Sequence, residues 1–204
     1  MQKREQYTVD LDELISECLS DLGGSLPDPV MYQYYKNLFN HTIVFNEKVT
    51  EDIIEKVVLP LIEFDEDPEV DHINIILNTV GGSLYDGFSV VSVLENLKTP
   101  TTLRLIGMAS SMGSLIAMAK NPCLKVICDK FTVGLIHSGS QCMQGSTHAV
   151  RDTFKFSEKY EDKIKEYILS HTNIDEAMYN EIERQEFWMD ANDMLKYGIV
   201  NEII

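Results

Sequence analysis

Three apolar runs, each ending in a turn of small residues, organise the middle of this chain. Ile73-Asn74-Ile75-Ile76-Leu77-Asn78 reads as a buried strand. It leads into Thr79-Val80-Gly81-Gly82-Ser83, and residues 84–97 then repeat with helical spacing. Thr101-Thr102-Leu103-Arg104-Leu105-Ile106 reads as a second strand, followed by Gly107-Met108-Ala109-Ser110-Ser111-Met112-Gly113-Ser114 and the helix former Leu115-Ile116-Ala117-Met118-Ala119. A third strand, Phe131-Thr132-Val133-Gly134-Leu135-Ile136, stops at His137. Two successive strand-turn-helix units, 73–97 and 101–120, are expected to be right-handed crossovers, which gives a parallel sheet. Such a sheet carries its functional turns at the carboxyl ends of the strands, where Gly82 and Ser111 both fall. Thr42-Ile43-Val44-Phe45 adds a strand before them. From the N-cap Thr50 a helix follows through Ile53, Ile54, Val57 and Val58, and Pro60 is expected to kink or end it.

The flanks are helical. Residues 8–22 place Val9, Leu11, Leu14, Ile15, Cys18, Leu19 and Leu22 at amphipathic spacing with acids between them, ending at Gly23-Gly24. The breaker Ser25-Leu26-Pro27-Asp28-Pro29 separates this segment from the rest. The pattern thus divides into an N-terminal amphipathic helix with its linker (1–31) and one α/β domain (32–204). After a small, polar stretch at 138–145, residues 147–169 predict one long helix bearing Val150, Phe154, Phe156, Tyr160, Ile164 and Ile168. A helix apolar on more than one side leaves exposed hydrophobic surface unless it meets another copy, which favours an oligomer. Asn173 with Glu176 predicts a capping box for the next helix, and Asp190 with Asp193 predicts the N-cap of a helix over 191–196.

Candidate chemistry lies in the turns. A serine between a buried strand and a helix N-terminus sits where backbone N–H groups point outward and the helix dipole favours negative charge. A nucleophile needs both presentation and donors for its oxyanion, which makes Ser111 the candidate. Gly82 could supply a second free N–H, and His137 ends an inner strand where a general base is required. On residues alone, two readings stay open: a serine hydrolase, or a doubly wound α/β domain that binds a ligand at its strand ends.

From about Tyr32 onward the chain resembles the ClpP family, the proteolytic subunit of the Clp ATP-dependent protease. The family's nucleophile motif, Gly-x-Ala-(Ala/Ser)-Ser-Met-Gly, matches 107–113 and puts the nucleophile on Ser111 rather than Ser110. Its Asn-Ser-Pro-Gly-Gly turn matches Asn78-Thr79-Val80-Gly81-Gly82, and its Met-Ile-His-Gln-Pro segment matches Leu135-Ile136-His137-Ser138-Gly139. The resemblance implies a ClpP/crotonase-type α/β fold with parallel-sheet turns and a protruding handle helix, here with an extra N-terminal helix. It implies an oxyanion hole from the N–H groups of Gly82 and Met112, with Gly81 beside them. It also implies a homo-oligomer of two stacked heptameric rings, an AAA+ unfoldase ATPase as partner and unfolded polypeptides as substrates.

Besides Thr79 and Val80, which replace the Ser and Pro of the glycine turn, two positions with a role in the family depart from it. Counting back without a gap from Tyr197-Gly198-Ile199-Val200-Asn201 places the family's catalytic aspartate on Glu186. A glutamate can orient an imidazole as an aspartate does, because the acid takes no proton. The expected triad is Ser111-His137-Glu186, with Asp190 and Asp193 as competing acids and an idle triad as a further alternative. The family arginine before that aspartate, which joins contacts between rings, is here Gln185, with Arg184 one residue away.

Composition narrows the classes. At 204 residues and 44% hydrophobic content the chain suits one large core. The net charge of −16 argues against nucleic acid and anionic membranes as partners. It reads as solvated helical faces, or as acids lining a chamber. No apolar run reaches the roughly 18 residues that span a bilayer. The basic start lacks the apolar region of a secretory signal. Cys18, Cys123, Cys128 and Cys142 form no metal-like grouping, so reduced thiols, no metal and a cytoplasmic location are expected. No GxxxxGK[ST] loop is present, and no cofactor is expected. His148 and His171 read as surface residues; His41 and His72 show no partner in the sequence. A catalytically silent ring subunit and a crotonase-fold acyl-CoA enzyme remain as alternatives to a ClpP-like serine endopeptidase.

Overall fold

The computed structural model describes residues 28–140 and 142–204, and the chain divides into two units, Met1–Phe39 and Asn40–Ile204. The amphipathic segment at 8–22 lies outside the described residues. In the first unit, helix α1 (Pro29–Phe39) is opened by Asp28, whose Oδ1 accepts the N–H groups of Val30 at 2.8 Å and Met31 at 3.3 Å.

The second unit is built on a mostly parallel sheet. Strands β1 (Thr42–Phe45), β2 (Ile73–Thr79), β3 (Thr101–Ser110) and β4 (Leu124–Cys128) lie side by side and parallel, and β7 (Glu202–Ile203) extends the β4 edge. The crossovers supply α2 (Leu59–Glu66), α3 (Leu84–Leu94) and α4 (Met112–Ala117). The core is aliphatic, with Ile43, Phe45, Leu61, Ile73, Leu94, Leu103, Leu105 and Ile116 all buried.

β3 is longer than its apolar pattern suggests, and that length makes the site. Its register against β2 slips between Leu77↔Leu105 and Thr79↔Ala109. The extra residues are taken up around Gly107 at φ 59°, where the Asn78 Oδ1 accepts the Met108 N–H at 2.9 Å. Beyond this bulge β3 leaves β4 and pairs with β5 (Val133–Ile136) instead. β5 in turn pairs antiparallel with β6 (Phe187–Met189). The small residues of 107–110 therefore continue the strand rather than form a loop, because a bulge lets a strand bend without ending.

The remaining helices are α5 (Thr147–His171), α6 (Glu176–Ile182) and α7 (Ala191–Lys196). α5 runs as one helix from its Ser146 cap and buries only Ser157 and Ile168. Pro60 does not end the helical run, which passes from a π-turn at Ile54–Val58 into α2, and it falls in the first turn of α2, where a missing N–H does no harm. One expectation is corrected. The cap of α6 is Asp175, which accepts the Met178 N–H at 2.8 Å, rather than Asn173. Asn173 is instead bound to the Lys196 and Tyr197 carbonyls through its side chain and backbone.

Candidate active site

Ser111 sits at the junction of β3 and α4 with φ 56° and ψ −119°. It and His41 are the two non-glycine residues with positive φ among the described residues. A strand-to-helix turn held this way lifts the side chain out of the sheet. The strain is fixed by hydrogen bonds: the Ser111 N–H donates to the Leu135 carbonyl at 2.7 Å, tying the turn to β5. Ser114, fully buried one turn into α4, donates from Oγ to the Ala109 carbonyl at 2.6 Å and accepts the Leu135 N–H at 3.3 Å. One hydroxyl thus clamps β3, β5 and α4 together around the serine.

His137 follows directly on β5, and its Nε2 lies 2.8 Å from Ser111 Oγ. For the hydroxyl to donate, Nε2 must carry the lone pair and Nδ1 the proton. The two residues most legible in the sequence are therefore brought together in hydrogen-bond contact.

The glycine turn closes against them. Gly81 (φ 89°) is so near that a Cβ there would stand 2.6 Å from Ser111 Cβ and 2.9 Å from Met112 N. Gly82 bridges to Val49, and a Cβ there would stand 2.1 Å from the Val49 carbonyl oxygen. The Gly82 and Met112 N–H groups have no backbone acceptor among the described residues. A groove passes over this centre, lined among others by Val49, Gly82, Ser111, Leu135, His137 and Ser138.

The acid is not brought into contact. Among the described residues no carboxylate makes an ion pair or hydrogen bond with His137. Glu186 accepts the Trp188 Nε1–H at 3.0 Å through Oε2. Its backbone position is nonetheless apt: β5 and β6 pair Ile136↔Phe187 and Leu135↔Trp188, so the next step of that register sets His137 opposite Glu186. Asp190 and Asp193 are occupied elsewhere. Each accepts the other's backbone N–H, Asp193 to Asp190 at 2.9 Å and Asp190 to Asp193 at 3.3 Å, in a reciprocal cap on α7. The Asp193 N–H bond, with Asn192 adding to it, holds the Asp190 carboxyl below its ordinary pKa.

Other histidines are better partnered than the sequence suggests. His171 is half-buried and its Nε2 meets Glu95 Oε1 at 2.9 Å, while His72 Nε2 lies 3.0 Å from Thr102 Oγ1 and His41 packs edge-on against Phe64. Cys128 is buried and its thiol is pushed up to about 11 by burial, with Asp129 adding to the effect. Among the described residues there is no cluster of metal-ligating side chains and no helix long and apolar enough to cross a membrane.

The sequence model of the Clp protease family matches residues 27–204, nearly nine-tenths of the chain and all of this site. The chain belongs to the Clp protease family. Among curated relatives, the ATP-dependent Clp protease proteolytic subunit of Deinococcus radiodurans is 26% identical over 175 residues, covering 85% of each chain. The ATP-dependent Clp protease proteolytic subunit 3 of Streptomyces avermitilis is 25% identical over 184 residues, covering 90% of this chain and 81% of the relative. Within this Clp protease framework, sequence reasoning missed Ser114 and Trp188. Ser114 sits i+3 from the candidate nucleophile, a spacing that could have pointed to the turn it braces. Trp188 carried no signal, since an aromatic on a short strand reads as packing.

Proposed function

We propose that the protein is a ClpP-like serine endopeptidase that hydrolyses peptide bonds of unfolded polypeptides. The observation that carries this is the 2.8 Å contact between His137 Nε2 and the Oγ of a serine held at positive φ. In this reading Ser111 attacks the scissile carbonyl as His137 takes its proton. The N–H groups of Gly82 and Met112 hold the oxyanion, and His137 returns the proton to the leaving amine. Water then releases the acyl-enzyme. Glu186, opposite His137 in the strand register, stabilises the imidazolium once it forms. The relatives' names, proteolytic subunits of an ATP-dependent Clp protease, support a role beside a Clp-type ATPase; action inside a ring-shaped chamber in the cytoplasm belongs to the same proposal.

A fluorophosphonate and intact mass spectrometry test the reading. One label per chain is expected, absent in Ser111→Ala and strongly slowed in His137→Ala. A second reading, a ring subunit that assists active partners without turnover, is favoured by one observation: Glu186 rests on Trp188 and not on His137. A folded oligomer that takes no label would support that reading and exclude the first.

A further inference from the structure

The carboxylate assigned to the triad is held by a donor for which the mechanism has no use. Trp188 Nε1 donates to Glu186 Oε2 at 3.0 Å. Trp188 lies in β6 and Glu186 one residue before that strand begins, so a continuation of the extended chain puts both side chains on one face. Across the ladder, Trp188 faces Leu135, and the continued register sets Glu186 opposite His137. Directly opposed Cβ atoms in an antiparallel pair lie about 4.5–5.5 Å apart, and residues two apart along a strand are separated by about 6.8 Å. A glutamate carboxylate, with its extra methylene, spans either distance; an aspartate carboxylate spans less.

We propose that Trp188 is a positioning residue that competes with His137 for the Glu186 carboxylate and holds the acid off the catalytic histidine until the imidazolium forms. This rests on the serine-peptidase reading above. At rest the acid chooses between two neutral donors, the indole N–H and the Nδ1–H of His137, and the structure records it on the indole. When Ser111 attacks and its proton passes to Nε2, His137 becomes a cation. A charge-assisted bond is about twice as strong as a neutral one, so the carboxylate transfers to Nδ1 at that step. Trp188 is 52% exposed, so its freed N–H is taken up by water. Part of the stabilisation Glu186 gives the imidazolium is offset by the indole bond it leaves. The device therefore acts on the chemical step and not on substrate binding.

Trp188 is the chain's one tryptophan, so its own fluorescence reports on the bond. The test uses the full-length protein, its Glu186→Ala and Trp188→Phe variants and the double variant. The rate of fluorophosphonate labelling is read for each, and tryptophan emission for the wild type and Glu186→Ala, which keep Trp188. Glu186→Ala is expected to shift the emission of the unlabelled protein. Labelling the wild type is expected to shift it the same way, and labelling Glu186→Ala to add nothing. Trp188→Phe, which keeps a ring but removes the donor, is expected to label roughly three- to tenfold faster. It should raise kcat on a peptide substrate with KM unchanged, and the double variant should fall to the Glu186→Ala rate. An emission insensitive to Glu186 beside normal labelling overturns the competition while leaving the peptidase reading intact. So does a folded Trp188→Phe that labels no faster, or a gain that persists in the double variant. Absence of labelling in every variant removes the peptidase reading and this device with it.

Discussion

The backbone at Ser111 adopts φ 56° because three neighbours leave it no alternative: the Leu135 carbonyl, the Ser114 clamp and the glycine turn pressed against its Cβ. A non-glycine residue in such a region costs about 1–3 kcal/mol, and it persists only where its surroundings over-determine it. Gly81→Ala therefore strikes the site twice. Its own φ of 89° becomes strained, and its Cβ would meet the Ser110 carbonyl and Ser111 Cβ, both at 2.6 Å. The expected result is a loss of about 1–3 kcal/mol in a urea titration together with labelling at least tenfold slower. Loss of stability with full labelling would show that the turn does not shape the nucleophile. A second outcome follows from burial. With its thiol raised to about 11, Cys128 holds on the order of one thiolate in a thousand at pH 8. A maleimide pulse at pH 8 followed by peptide mapping should mark the exposed Cys142 within minutes and Cys128 only after unfolding.

The elements show which parts of the fold were legible and why. The strands 42–45 and 73–79 follow from their apolar pattern, and the α5 span and the α7 cap from pattern together with local hydrogen bonds. The cap of α6 did not, because Asn173 and Asp175 are both competent caps and only the approach of the α7 end, where Asn173 binds Lys196 and Tyr197, separates them. Counting back along the family's pattern names Glu186, but neither its place opposite His137 nor its partner follows from the chain. Which of two donors a long carboxylate chooses is settled by the β5–β6 ladder and by Trp188. The α7 cap also yields a prediction that bears on the acid. Asp190→Ala should lower the melting midpoint at pH 7, with Asp190→Asn, also a good cap, recovering most of the loss. Since folding depresses the Asp190 pKa, its contribution is full above the unfolded value near about 3.9 and is lost as pH falls through the lower folded value. The difference between wild type and Asp190→Ala should thus shrink in melts taken below that range. Fluorophosphonate labelling at pH 7 should be unchanged in Asp190→Ala; a large fall would return Asp190 to candidacy as the triad acid.

At the scale of the whole molecule, apolar surface and charge pull against each other. α5 leaves Phe154 53% and Phe156 51% exposed, Tyr85 is 58% exposed beside it, and Phe131 is 86% exposed at the foot of β5. Tyr160 joins these rings, lying 5.4 Å from Tyr85 and 5.9 Å from Phe156 between centroids. Aromatic surface of this extent favours contact, and in the proposed oligomer it would draw copies of the chain together. A net charge of −16 on each copy drives them apart. Repulsion between exposed charges falls as the screening length drops from about 30 Å at 0.01 M salt to about 8 Å at 0.15 M, whereas hydrophobic contact does not weaken with salt. The oligomer is therefore expected to strengthen with ionic strength, the reverse of an assembly held by ion pairs. Native mass spectrometry and sedimentation at a fixed protein concentration should show larger species gaining population between 0.02 and 0.3 M salt, estimates set by that change in screening. Phe154→Glu, which places a further negative charge on the apolar face of α5, should shift the balance back toward smaller species at every salt concentration while leaving the far-ultraviolet spectrum unchanged. If instead salt dissolves the assembly, complementary charges and not the α5 aromatics hold it. If the chain stays monomeric throughout, the enclosed chamber has no basis and the groove at Ser111 must meet its substrates in the open.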